Sequence, residues 1–342
     1  MSTQSILESL LAERILVLDG AMATQLQRQG LGEADFRGER FKSHSHDLVG
    51  NYDVLSLTRP DLVTRVHFEY LDAGSDLIQT NTFSSTSIAQ ADYGLSSLAY
   101  EMNVTAARLA KAAADTWTTR TPNQPRFAAG TIGPTNRSLS PATGPIAARV
   151  PGITVDRLED AYTEQARGLI DGGCDLLLVE TVFDAANAAA ALAGIDAASL
   201  ACARRLPVMV SATISAPDGR NLAGQTIETF WTTIRQAQPF SVGLNCSSGA
   251  RAMRPHLEAL ARVADCFVTC HPSAGLPDAS GQYQDRPADL AGILRGFATS
   301  RLVNIVGGCC GTTPDHIKAI VEAVRDVPPR ATIGGRPRRE GF

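Results

Sequence analysis

Short apolar runs that stop at small or polar residues recur along the whole chain, at 15–18, 54–57, 76–80, 127–130, 175–179, 208–212, 240–244, 267–269 and 302–306. Between most of them apolar residues return every three or four positions, at 60–73, 95–116, 154–171, 184–204, 226–236, 250–263 and 288–298. The first pattern predicts strands and the second predicts helices. Their alternation predicts a parallel sheet closed by helical crossovers. Asp72-Ala73-Gly74 and Asp171-Gly172-Gly173 place glycine where a helix ends in a left-handed residue, just ahead of the next run.

Nine runs are one too many for an eight-stranded barrel. The run at 54–57 is the weakest, because 30–50 ahead of it is polar and shows no helical period. That region reads as a long insertion after the first strand, carrying a short extended piece of its own. The expected architecture is a single (β/α)8 TIM barrel over 1–327, a size one barrel can occupy as a unit. Residues 328–342, rich in Pro, Gly and Arg, read as a C-terminal tail or linker. No sequence repeat stands out beyond the strand–helix rhythm.

Composition narrows the function. Apolar residues make up 44% and charged residues 19% of the 342 positions, enough for a large core and contrary to global disorder. The net charge of −4 sets aside a nucleic-acid binder with a broad basic face. The N-terminal MSTQSILESLLAERI carries Glu8 inside its apolar stretch and lacks a basic start and a small-residue cleavage site, so it does not read as a signal peptide. The Ala-rich stretch 185–200 is interrupted by Asn187 and Asp196 and is too short and too weakly apolar to span a membrane. Seven cysteines, an odd number, do not suggest a secreted disulfide framework. The expected setting is cytoplasmic and reducing, with thiols available for metal or catalysis.

A barrel of this kind carries its chemistry at the C-terminal ends of its strands. The distinctive segments fall there: LDGAMAT at 18–24, QTNTFSST at 79–86, GTIGPTNR at 130–137, ETVFD at 180–184, LNCSSG at 244–249, CHPSAGLP at 270–277 and GGCCGTTP at 307–314. Cys246 follows the sixth barrel strand and Cys309-Cys310 follow the eighth, so the three thiols can converge over the mouth. Three thiolates hold Zn2+ tetrahedrally and leave a fourth position open, the pattern of a catalytic site. Adjacent cysteines in a regular strand would point to opposite faces. Gly307, Gly308 and Gly311 flank the pair and let the backbone bend both sulfurs toward one metal.

Cys174, Cys202 and Cys266 read as small buried apolar side chains. Cys270-His271 leaves two alternatives. Either residue, as a fourth ligand, would close the site and make the zinc structural, or His271 is an ordinary hydrogen-bonded loop histidine, the reading we favour. A thiol redox sensor would need a resolving partner within disulfide reach of Cys309 or Cys310. An open three-thiolate zinc invites S-alkylation instead. A substrate thiol entering the fourth position loses its proton, whereas a free thiol of pKa about 8.5 stays mostly protonated near neutrality.

The segments LDGAMAT, EADFRGERF at 33–41, QTNTF, GPTNR, ETVFD, GLNC, HPSAGLP and NIVGGCCGTTP at 304–314 resemble the homocysteine-binding module of cobalamin-dependent methionine synthase, over about 15–328. LNC together with GGCCGT marks the wider homocysteine S-methyltransferase family, which includes betaine- and S-methylmethionine-using members. EADFRGERF resembles the cobalamin-dependent branch. The resemblance implies that Cys246, Cys309 and Cys310 bind zinc and form the catalytic set, with the sulfur of L-homocysteine as fourth ligand. It implies methyl transfer from methylcobalamin, carried by a partner and not bound by this chain alone, to give L-methionine. Asp19 and Glu180 match acidic positions that hold the amino acid end of homocysteine. Backbone N–H groups around Gly20, Ala21 and Met22 are expected to meet its carboxylate. The plainer alternatives are that Asp19 caps a helix beginning at Ala21 and that Glu180 pairs with an arginine.

Three residues depart from the family pattern. Ala23 stands where DGAMGT has Gly, which is costly if the position needs a positive φ. Gln79 replaces a commonly acidic residue, and Ser273 replaces the Asn of HPNAG. The synthase resembled here continues into folate-binding, cobalamin-binding and reactivation domains, and no Asp-x-His-x-x-Gly signature occurs in this sequence. The expected partner is therefore a corrinoid-binding protein or domain, in company with a methyltetrahydrofolate-binding one, this chain being either a separate subunit or an excised module. The alternative is a cobalamin-independent methyltransferase using S-methylmethionine or betaine. EADFRGERF speaks against it, and no onium-binding aromatic cage is evident among two Trp and six Tyr.

Overall fold

The computed structural model describes residues 2–140, 152–214, 219–247, 249–279 and 281–332. Eight strands, β1 (Leu16–Val17), β2 (Leu77–Gln79), β3 (Phe127–Ile132), β4 (Leu176–Val182), β5 (Val208–Ala212), β6 (Ser241–Cys246), β7 (Phe267–Pro272) and β8 (Ile305–Val306), pair in parallel in chain order. The ring closes on both sides of β1. Leu16 and Val17 pair with Ile305 and Val306, and Leu18 bridges to Leu77 with the Asp19 amide donating to the Leu77 carbonyl at 2.9 Å. The fold is the expected (β/α)8 TIM barrel.

The helices are α1 (Thr3–Glu13), α2 (Met22–Gln27), α3 (Glu33–Arg37), α4 (Leu55–Thr58), α5 (Pro60–Asp72), α6 (Ser87–Gln90), α7 (Ala99–Arg120), α8 (Val155–Asp171), α9 (Ala185–Ala201), α10 (Ile227–Ile234), α11 (Ala250–Val263), α12 (Pro287–Thr299) and α13 (Pro314–Val324). Each of the seven periodic stretches is helical. Gly74 (φ +104°) and Gly173 (φ +98°) take the left-handed conformation that stops α5 and α8 ahead of the next strand. No helix among the described residues is long and apolar enough to cross a membrane.

The run at 54–57, expected to be extended, is helical. The Asn51 side chain accepts the Val54 amide and starts a 3-10 turn at Tyr52–Val54, which runs into α4. Val54 and Leu55 are both fully buried, and an apolar run this short carries no period that separates strand from helix. The insertion ahead of it also has structure. Glu33 accepts the amides of Leu48 and Val49, and Arg37 donates to the carbonyls of His44 (2.6 Å) and His46 (2.9 Å). EADFRGERF thus folds its own loop, on the mouth side of β1.

Inside the barrel, alternate strand residues Leu16, Leu18, Leu77, Phe127, Leu176, Leu178, Met209 and Ile305 form one cluster. Leu7 and Leu11 of α1 plug its lower end, each contributing about 2 kcal/mol by burial. Arg330, in the segment read as a tail, is buried and donates to the carbonyls of Cys266, Ala261 and Ala264. Residues 333–342 of that segment lie outside the described residues. The apolar interior leaves the strand ends at the mouth as the place for chemistry.

Candidate active site

The last residue of β6 is Cys246, and Cys309-Cys310 occupy the turn after β8. Their sulfurs stand together: Cys246 Sγ to Cys310 Sγ is 3.7 Å and Cys309 Sγ to Cys310 Sγ is 4.0 Å, all three within 4.8 Å of one another. Zn–S bonds of about 2.3 Å in a tetrahedron set sulfurs about 3.8 Å apart, so the trio fits one zinc ion. Among the described residues no other His, Cys, Asp or Glu atom joins the group.

Backbone geometry makes this convergence. Cys246 (φ +57°) and Ser247 (φ +63°) are consecutive left-handed residues that turn β6 out of its extended course, a conformation that costs roughly 1–2 kcal/mol per non-glycine residue. The Ser273 hydroxyl donates to the Cys246 carbonyl at 3.3 Å, and the Ser247 hydroxyl donates to that of Ile214. Across the mouth Gly311 takes φ +78°. Gly307 and Gly308 serve close approach rather than a left-handed bend: a Cβ on Gly307 would lie 2.8 Å from the Leu18 carbonyl oxygen, and one on Gly308 2.4 Å from Thr312 Oγ1. The Cys309 amide donates to the Pro272 carbonyl at 2.9 Å, which ties the turn to β7.

Three sulfurs so close cannot all ionise without a cation. Hydrogen bonds from Cys246 and Cys309, with one from Tyr283, hold the Cys310 thiol down to about 3. Cys309 is pushed well up by its bonds to Cys246 and Cys310 and by burial. Cys246 is lowered by its bond with Cys309, but its bond to Cys310 and its burial outweigh that and push it up to about 12. The trio thus shares its protons through hydrogen bonds among the thiols, and a divalent cation entering it displaces those that remain.

Two carboxylates sit at strand ends on the same rim, Asp19 just after β1 and Glu180 near the end of β4. Asp19 is buried, with Oδ2 accepting the Gln79 amide at 3.0 Å and Oδ1 without a partner. Burial pushes it well above the usual carboxylate range, against the pull of the Gln79 amide, and the charge of Glu180 adds to the rise. Glu180, also buried, meets His271 Nε2 at 3.1 Å rather than an arginine. His271 is fully buried on β7 with Nδ1 unpartnered, while the adjacent Cys270 points outward to Met253 Sδ at 3.8 Å. Neither closes the sulfur site.

Several expectations change in detail. Asp19 does not cap α2: the residue ahead of that helix is Ala21, without a side-chain cap, and its own amide donates to Thr312 Oγ1 at 3.3 Å. Ala23 lies inside α2 and carries none of the strain expected of a positive φ. Gln79 Oε1 accepts from Thr131 at 3.3 Å, a neutral neighbour where a third acid would repel Asp19. Cys174 and Cys266 are buried as expected, but Cys202 is only half-buried. Sequence reasoning missed Thr312, which bonds Cys309 and Ala21, and Tyr283, whose ring occupies the space a Cβ on Gly311 would need. It also missed Asn245, although that residue lies inside the LNC signal.

The sequence pattern of the family described as homocysteine S-methyltransferase matches residues 16–324. The structure is similar to the homocysteine methyltransferase MmuM from Escherichia coli in its metallated form, with TM-score 0.70 and 21% identity, covering 92% of this chain and 97% of that one. The oxidised form of the same protein gives TM-score 0.68 at 21% identity, covering 90% and 95%, and the apo form 0.64 at 19%, covering 91% and 96%. At these identities the structural likeness speaks for the shared barrel.

Proposed function

Since the chain belongs to the homocysteine S-methyltransferase family and is a methyltransferase by that membership, we propose that it makes L-methionine from zinc-activated L-homocysteine, taking the methyl group from methylcobalamin borne by a separate corrinoid-binding protein or domain. The observation that carries the reading is the Cys246–Cys309–Cys310 sulfur trio, spaced for one ion beside a buried carboxylate with an unmet oxygen.

Zinc held by the three cysteines would supply the positive charge that keeps a substrate thiol deprotonated at neutral pH. The residues of this chain do the rest. Asp19 Oδ1 and Glu180 receive the substrate ammonium, which offsets the burial of both carboxylates. His271 holds the Glu180 carboxylate in place. The amides of Gly20 and Met22 meet the substrate carboxylate. With the amino acid end so fixed, the substrate sulfur faces outward over the trio. Methylcobalamin on its carrier would supply the methyl group to that sulfur and keep the electron pair of the bond it gives up. No general base is needed at the sulfur, so thiolate generation and positioning carry the rate.

The donor reading is supported by EADFRGERF on the mouth side of the barrel. Phe83 and Leu276, exposed on the loops after β2 and β7, offer apolar contact to a docking partner. Three free thiols in one cluster suit the reducing conditions of the cytoplasm. The test is anaerobic methyl transfer by the zinc-loaded protein with homocysteine and methylcobalamin, S-methylmethionine or betaine in parallel. Demethylation of methylcobalamin with equimolar methionine is expected. Turnover with S-methylmethionine or betaine alone would move the chain to the cobalamin-independent branch.

A further inference from the structure

Asn245, fully buried on β6, spends its whole carboxamide on two residues of the site. Its Oδ1 accepts the Thr181 amide at 2.9 Å, and its Nδ2 donates to Thr181 Oγ1 at 2.8 Å and to Cys309 Sγ at 3.7 Å. Thr181 is the residue after Glu180 and has φ +57°. A β-branched residue avoids that region, so the conformation needs something to hold it. The β4–β5 register also breaks between Val179 and Val182, on either side of Glu180-Thr181. The bulge therefore turns β4 at the point where Glu180 faces His271, and Asn245 clamps it from β6.

We propose that Asn245 is a positioning residue that couples the two halves of the site: one amide N–H stabilises the Cys309 thiolate while the rest of the carboxamide holds the bulge that aims Glu180. This rests on the reading of the trio as a zinc site and of Glu180 as a substrate group. Only a side chain with a donor and an acceptor on one planar head can do both. Leu has neither, and an ionised Asp would set a negative oxygen against the thiolate. Bonds to the groups that orient a metal's ligands typically change metal affinity by roughly 10–100-fold.

The test uses the full chain with Asn245→Ala, Thr181→Gly and the double variant. Zinc affinity is read by chelator competition, and homocysteine affinity by calorimetry on zinc-saturated protein, with thermal melts alongside. Asn245→Ala is expected to weaken zinc binding roughly 10–100-fold and to weaken homocysteine binding as well. Glycine adopts a positive φ freely, so the double variant should recover most of the homocysteine affinity and none of the zinc affinity. If Asn245→Ala fails to fold, the double variant, with that strain removed, still gives both readouts. Wild-type protein that binds zinc and homocysteine, with variants equal to it or with no recovery on adding Thr181→Gly, overturns the coupling alone. Wild-type protein that takes up no zinc overturns the reading beneath it and the coupling together.

Discussion

The Thr312 hydroxyl donates to the Cys309 carbonyl at 2.6 Å and accepts the Ala21 amide at 3.3 Å, so one buried side chain locks the cysteine turn after β8 to the loop after β1. Tyr70 reinforces the joint from below, its hydroxyl lying 3.2 Å from the Ala21 carbonyl and 3.1 Å from that of Thr312. Thr312→Val keeps the shape and leaves the Ala21 amide unmet, which should cost about 1–3 kcal/mol. Chemical denaturation should show that loss, and zinc affinity should fall with it because the turn loses its anchor.

Removing a sulfur should have the opposite balance. None of Cys246, Cys309 and Cys310 belongs to the apolar core clusters. Cys246→Ala or Cys310→Ala should therefore keep the far-UV circular dichroism and melt close to wild type without metal, yet bind no zinc and transfer no methyl group. Metal analysis after dialysis, paired with the methyl-transfer assay, checks both halves.

The carboxylates should separate from the metal. Asp19→Asn and Glu180→Gln each remove a charge-assisted bond to the substrate ammonium, worth about 1.5–3 kcal/mol. Homocysteine KM should rise by about tenfold to a hundredfold, the factor that energy implies. Zinc content should stay unchanged, and steady-state kinetics beside metal analysis reads the split.

Acid should find His67. It is fully buried on α5, neither ring nitrogen has a partner, and burial pushes it down to about 4 from the usual 6.5. The unfolded chain thus takes up the proton first. The stability tied to the neutral ring is fully present above pH 6.5 and is lost as pH falls from 6.5 to 4. Wild type should lose about 3 kcal/mol more than His67→Leu between pH 7 and pH 4. Urea unfolding of both proteins at the two pH values gives that difference directly.

Much of this was legible in the sequence, for physical reasons that differ by element. The barrel showed because each strand is a short apolar run set off by a periodic helix, and Gly74 and Gly173 mark two of the stops. The sulfur trio showed because adjacent cysteines among glycines have little packing purpose. The run at 54–57 did not, since only the Asn51 cap and Pro60 decide its conformation, and four apolar residues have no period. The plug formed by Leu7 and Leu11 depends on where α1 docks. The Asn245–Thr181–Cys309 link joins residues 64 positions apart on each side, a relationship that exists only once β4, β6 and β8 stand together.

The most direct test of the account is zinc-edge X-ray absorption on the zinc-loaded protein, before and after L-homocysteine. The shell is expected to change from three sulfurs and one light atom to four sulfurs, with the change absent in Cys310→Ala for want of metal. A shell of three sulfurs and one light atom that homocysteine leaves untouched would contradict the claim that substrate sulfur is activated at Cys246, Cys309 and Cys310.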